Sequence, residues 1–170
     1  MDNYGKPVPF KGRRGQSDRQ MQHFQPGQAG SWGDDASPRA EVVQAAALCL
    51  RDTARGPEVL MITSLRTRRW ILPKGWPMAD RCLAESARQE AWEEAGVIGR
   101  LHPLSIGYYQ YRKQRARGLV TCRVEVFRID VETLARAYPE RGRRRRRWMT
   151  PDAAAGAVLE PDLQGLLRRL

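Results

Sequence analysis

The sequence predicts an α/β sandwich carried by one domain behind an N-terminal leader. Three observations support this. Apolar runs rich in β-branched residues alternate with helix-forming stretches. One Ala/Glu/Arg-rich segment, Leu83–Ala95, places small apolar residues at spacings of three and four. Residues 1–38 show neither period, whereas residues 39–170 show both.

Taken in order, residues 1–38 carry Gly, Gln, Ser, Asp and Arg with few aliphatics, and are expected to form a flexible leader. Within it, Phe10, Phe24 and Trp32 are candidates for local docking. Val42–Leu50 is a continuous apolar run that reads as a strand buried on both faces. Asp52–Pro57 is a turn cluster and Val59–Leu65 a second strand. Trp70-Ile71-Leu72 leads into Pro73-Lys74-Gly75-Trp76-Pro77, a loop by its composition. In the helix that follows, Leu83, Ala84, Ala87, Ala91 and Ala95 form an apolar stripe, and Gly96 is its stop signal. Because the stripe is mostly alanine, the helix is expected to sit close to its neighbour. Ser105–Arg112 and Leu119–Ile129 read as strands joined by a turn at Gln114–Gly118; Val120, Cys122, Val124 and Val126 alternate with polar neighbours. Thr150-Pro151-Asp152 is a helix start with Thr as N-cap and Pro at the first helical position. Leu163, Leu166, Leu167 and Leu170 give the last helix one apolar side.

Composition narrows the class. The formal net charge is +11 in 170 residues, so it must be solvated or matched by anions, which leaves nucleic acid, an acidic membrane surface and a polyanionic small substrate all open. No apolar run reaches membrane-span length, and Met1–Phe10 has no secretory h-region. Cys49, Cys82 and Cys122 are odd in number and lack paired spacing, which fits reduced thiols in a cytoplasmic protein.

The chemistry-bearing feature is Glu90, Glu93 and Glu94 on one face of the expected helix. Like charges at these spacings repel, and Mg²⁺ or Mn²⁺ would offset that repulsion with oxygen ligands. A solvated acidic face is the plain alternative. The flanks add weight, since Gly75 lies before the helix and Gly96 ends it 21 positions later. The string Gly75-x14-Glu90-Ala91-x-Glu93-Glu94-x-Gly96-Val97 resembles the Nudix box, a loop–helix–loop signature.

This resemblance implies a Nudix-type α-β-α sandwich with a mixed central sheet over residues 39–170. It implies metal-dependent hydrolysis of a diphosphate linkage. Metal ligands would be Glu90, Glu93, Glu94 and the backbone at Gly75, with Glu94, or else Glu93, handling the attacking water. The layout of Val43–Arg51, Val59–Arg66, Arg69–Pro73 and Arg144–Trp148 resembles the diphosphoinositol polyphosphate and diadenosine polyphosphate phosphohydrolase branch. That likeness assigns phosphate contacts to Ser64, Arg66, Lys74, Arg144, Arg145 and Arg146. Gln44 departs from an arginine in that branch, and Arg147 from an acidic residue. Arg81 and Gln89 stand where the family has a Glu and an Arg that brace the loop on the helix. A substitute brace through Asp80, Glu85 or Arg88 is expected.

The five arginines of Arg143–Arg147 read as a polyphosphate clamp, a nucleic-acid or acidic-partner patch, or a solvated run. Alternation along a strand at Trp148 would send about half to each face. Arg112, Lys113, Arg115 and Arg117 would extend the patch. Trp76 offers either a stacking surface or packing, and Glu125 either a further ligand or a solvent-facing strand residue. The partner expected from all this is a polyanionic small molecule, with no membrane. Two rivals remain: a nucleic-acid-binding module without catalysis, and RNA 5′-end pyrophosphohydrolysis.

Overall fold

The first strand shows how the molecule is layered. In the computed structural model, which describes residues 41–115 and 118–170, β1 spans Glu41–Thr53, and every residue from Gln44 to Leu50 is at most 5% exposed. Such burial needs cover on both faces. Ala46, Leu48 and Leu50 point into one core, shared with Tyr109, Val124, Val126, Leu163 and Leu167. Ala45, Ala47 and Cys49 point into a second core, shared with Ala84, Ala87, Ala91 and Ala95. Helices therefore lie on both sides of one sheet.

The remaining elements are β2 (Gly56–Thr63), β3 (Trp70–Ile71), β4 (Lys74–Gly75), α1 (Leu83–Ala95), β5 (Val97–Arg115), β6 (Gly118–Leu134), β7 (Arg146–Met149), α2 (Pro151–Ala157) and α3 (Pro161–Leu167). The sheet runs β3-β2-β1-β6-β5, with β4 also on β1 and β7 on β2. β1 and β6 are parallel, from Glu41 opposite Thr121 to Leu50 opposite Asp130. Every other pairing is antiparallel, so the sheet is mixed, as expected.

Helix α1 has the boundaries its sequence predicts. Gly96 ends it in the left-handed region at φ 67°, its N–H donating to Trp92 O at 2.8 Å. A side chain at Gly96 would also strike the Tyr138 ring, 2.7 Å from an ideal Cβ. Thr150 caps α2, its hydroxyl accepting from Ala153 N, with Pro151 next in line.

Several expectations change in extent: β2 ends at Thr63 rather than Leu65, the turn expected at Asp52–Pro57 narrows to the two residues between β1 and β2, and Leu170 lies beyond α3. β5 begins eight residues before Ser105 and carries irregularities between Ile98 and Gly107 that hide its period. The Pro73–Pro77 loop contains a two-residue strand, because Lys74 and Gly75 pair with Ala46 and Ala45. The strand expected at Trp148 starts at Arg146, opposite Ile62. The leader expected at 1–38 lies outside the described residues, as do residues 116 and 117 of the expected turn. Among the described residues, no helix is long and apolar enough to cross a membrane. Cys49, Cys82 and Cys122 are free, with Cys49 and Cys122 buried.

Candidate active site

The candidate site forms where β4 meets the second half of α1. Pairing with Ala45 fixes Gly75 on the sheet surface facing α1. There the Glu90 carboxylate packs against it so closely that an ideal Cβ on Gly75 would lie 1.8 Å from Glu90 Oε1. One residue earlier, the Lys74 backbone N–H donates to Glu94 Oε2 at 2.9 Å. Arg144 donates to the other oxygen, Glu94 Oε1, and also to Glu140 and to the Thr63 carbonyl. Glu94 is 6% exposed. Burial pushes its carboxyl up to about 7 against the pull of the Lys74 N–H and Arg144. Burial and the neighbouring Glu93 raise Glu90 likewise.

Glu93 lies one helical turn from Gln89, whose Nε2 donates to Glu93 Oε1 at 2.7 Å. Gln89 Oε1 in turn accepts from Arg81 Nη1 at 2.7 Å. The loop brace is therefore made between Arg81 and Gln89 themselves. The expected route through Asp80, Glu85 or Arg88 is not used: Glu85 and Arg88 pair with each other at 2.6 Å, and Asp80 lies 3.6 Å from Arg81.

Lys74 links this face to an open basic cleft of about 580 Å³ lined by Ser64, Arg66, Thr67, Tyr111, Arg112 and Lys113, among others. Its ammonium donates to Gln44 Oε1 and Tyr111 Oη, both at 3.0 Å, while Tyr111 donates to Gln44 Oε1 at 2.6 Å. Burial lowers the Lys74 pKa to about 8, with Glu94 opposing. Ser64 and Arg66 open the loop after β2, and the Ser64 hydroxyl bonds Thr67 at 2.7 Å. Lys113 covers the Trp76 ring at 5.4 Å.

The arginine run divides by face. Arg144 and Arg146 turn toward α1, where Arg146 donates to the Ala95 carbonyl and stacks on Tyr138. Only Arg144 is half-buried; Arg143, Arg145, Arg146 and Arg147 are exposed, and the backbone of Arg145 closes onto Thr63. The structure thus brings together Gly75, Lys74, Glu90, Glu93, Glu94 and Arg144, and sets Ser64, Arg66 and Lys74 in one cleft. Arg145 and Arg146 line neither the carboxylate face nor that cleft. Glu125 flanks Ala45 on the side opposite Gly75 and is occupied by Ser105 and Arg123. Sequence reading missed Glu140 and Tyr111. Glu140 had a signal in its four-residue spacing to Arg144; Tyr111 had only its alternation with Tyr109.

The region has known relatives. Over 97 residues, 55% of this chain, the sequence is 36% identical to Nudix hydrolase 12, mitochondrial, of Arabidopsis thaliana, and spans 48% of that protein. The fold matches the C. elegans Ap4A hydrolase at TM-score 0.56 and 16% identity, covering 76% of this chain and 96% of that one. The sequence is thus similar to that of a Nudix hydrolase, and the fold to that of solved Nudix structures. The Nudix domain of Shewanella oneidensis NrtR, complexed with ADP ribose, also matches at TM-score 0.56 and 13% identity, covering 82% of this chain and 94% of that one. No family model matches the chain. It spans about half the length of the curated relative above.

Proposed function

We propose that this domain hydrolyses a phosphoanhydride linkage in a phosphate-rich small molecule, such as a dinucleoside polyphosphate or a diphosphoinositol polyphosphate, with help from a divalent cation. The observation that carries this reading is the meeting of a three-glutamate face with a basic cleft at Lys74, whose backbone touches Glu94 and whose side chain lines the cleft. The likeness to an Ap4A hydrolase supports the same substrate class.

The donor chemistry fits a hard cation. Glu90 and Glu94 are carboxylates held above their ordinary pKa by burial and by acidic neighbours, so added positive charge there relieves a real penalty. The set is not gathered into a closed cage: among the described residues, no group of three or more His, Cys, Asp or Glu stands ready to hold a metal ion. Glu94 instead spends both oxygens on Lys74 and Arg144, and Glu93 spends one on Gln89. Glu90, Glu93, Glu94 and the Gly75 backbone would hold Mg²⁺ or Mn²⁺ after Glu94 exchanges a partner. Such an ion supplies charge neutralisation and a more acidic bound water.

The protein's own groups do the rest. Arg66, Ser64 and Lys74 bind and orient phosphate oxygens, with Arg112 and Lys113 extending the cleft for a longer chain. Glu94, or Glu93 beside it, takes a proton from the attacking water as its oxygen bonds to phosphorus and the bridging P–O bond breaks. Arg144 balances the Glu94–Glu140 pair, and its guanidinium becomes available to phosphate when Glu94 changes partner. The free, mostly buried thiols suit a reducing compartment, and we place the protein in the cytoplasm on that ground.

The test is phosphate release from dinucleoside polyphosphates, inositol pyrophosphates and triphosphorylated RNA, with and without Mg²⁺. Glu94→Gln keeps shape and removes charge, so turnover is expected to fall by roughly 10²–10⁴. An EDTA-resistant wild type, or a fully active Glu94→Gln variant, would sink this mechanism. Activity on triphosphorylated RNA alone would move the substrate to nucleic acid.

A further inference from the structure

A continuous chain of side-chain hydrogen bonds leaves the loop before α1 and ends on the carboxylate face. Arg81 donates to the Gln89 oxygen, and the Gln89 nitrogen donates to Glu93, both at 2.7 Å. The chemistry fixes its direction. A guanidinium only donates and a carboxylate only accepts, so the amide between them has one satisfied orientation.

We infer that Arg81 and Gln89 are positioning residues that hold Glu93 in its ion-binding rotamer, and that the neutral amide lets a loop arginine do this without an ion pair to Glu93. The inference rests on the hydrolase reading and deepens it. Glu93 has Glu90 three residues before it and Glu94 beside it on the helix, so repulsion and rotamer entropy both favour its swinging away. The Gln89 amide engages Oε1 alone and leaves Oε2 available. Arg81 is anchored for this purpose. Its backbone N–H reaches Met78 O at 3.2 Å, and Met78 N donates at 3.1 Å to Ser86 Oγ, a fully buried residue of α1.

The experiment uses the full chain and four variants: Arg81→Met, Gln89→Met, the two combined, and the exchange Arg81→Glu with Gln89→Arg. The first readout needs no turnover. Calorimetric titration with Mn²⁺ alone is expected to show about tenfold weaker binding in each single Met variant, the low end for residues that orient a ligand. The Gln89 side-chain amide signal in nitrogen-15 NMR should shift in Arg81→Met, with melting temperature little changed. Because the bonds act in series, the double Met variant should bind Mn²⁺ no more weakly than Gln89→Met. The exchange variant should recover affinity, since an arginine at 89 can donate to both neighbours. In turnover, kcat should fall with KM unchanged. Wild-type Mn²⁺ affinity in Arg81→Met, or additive losses in the double variant, would overturn the positioning role alone. A wild type that neither binds Mn²⁺ nor releases phosphate would overturn the hydrolase reading, and this inference with it.

Discussion

Glu94 and Lys74 share a backbone hydrogen bond, and burial works against the charge on both side chains, in opposite directions along the pH scale. Glu94 has a folded pKa of about 7 against an ordinary 4.5. Raising a folded pKa means the native state binds more protons between those values, so this contribution is fully present below 4.5 and is lost as pH rises through 7. Lys74 has a folded pKa of about 8 against 10.5, so stability recovers as pH rises from 8 toward 10.5. Together the two groups place a stability minimum between them. In EDTA, lowering the pH from 7.5 to 5.5 should stabilise the wild type by an amount on the order of 1–2 kcal/mol. Urea denaturation at both values checks this, and Glu94→Gln should lose most of the slope. A wild type with no such slope would mean that Arg144 fully compensates the buried charge.

At the scale of elements, α1 was the most legible part of the chain. Its alanine spacing, its start and its glycine stop all survive in the structure. The reason is that helix periodicity and a left-handed cap are local properties. The close approach expected of an alanine stripe is also present: Ala87, Ala91 and Ala95 are wholly buried against Ala45, Ala47 and Ile129. Little room is left there, so Ala91→Leu should destabilise by about 1–3 kcal/mol through overpacking. Chemical denaturation measures this directly, and a neutral result would show that the helix can shift outward. The arginine run was only half legible. Arg144 and Arg146 do turn to one face, but β7 begins only at Arg146, and their acceptors are Glu94, Glu140 and the carbonyls of Thr63 and Ala95. Cationic groups at a helix C-terminus are favoured by its dipole, and nothing in the run itself names that helix as the one it meets.

For the whole molecule, the sandwich and its two cores follow from β1 alone, because a run buried on both faces demands two covering layers. What could not be read was pairing. The two-residue strands β3 and β4 are too short to leave a period, and β5 loses its own through register shifts. The candidate site follows the same division. Glu90, Glu93 and Glu94 are neighbours on one helix and were visible at once. Their meeting with Lys74, Arg144 and Glu140 depends on contacts across 20 to 50 positions, which residue spacing does not encode.

The parallel pairing of β1 with β6 also sets an order of events in time. Its partners are 80 positions apart, from Glu41 to Thr121, whereas β5 and β6 are neighbours in a hairpin. Closing the larger loop costs more entropy before any contact forms, so the hairpin should assemble first and β1 should arrive as a late insertion between β6 and β2. Until then Val124 and Val126 have no parallel neighbour, and the edge of β6 stays open to other chains. Pulse-labelling hydrogen exchange during refolding should therefore protect the amides of Tyr109 and Val124 before those of Ala45 to Leu50. Simultaneous protection of the two sets would mean that β1 belongs to the nucleus. The seven buried residues from Gln44 to Leu50 that give the finished fold its centre would then be the last piece of it to find their place.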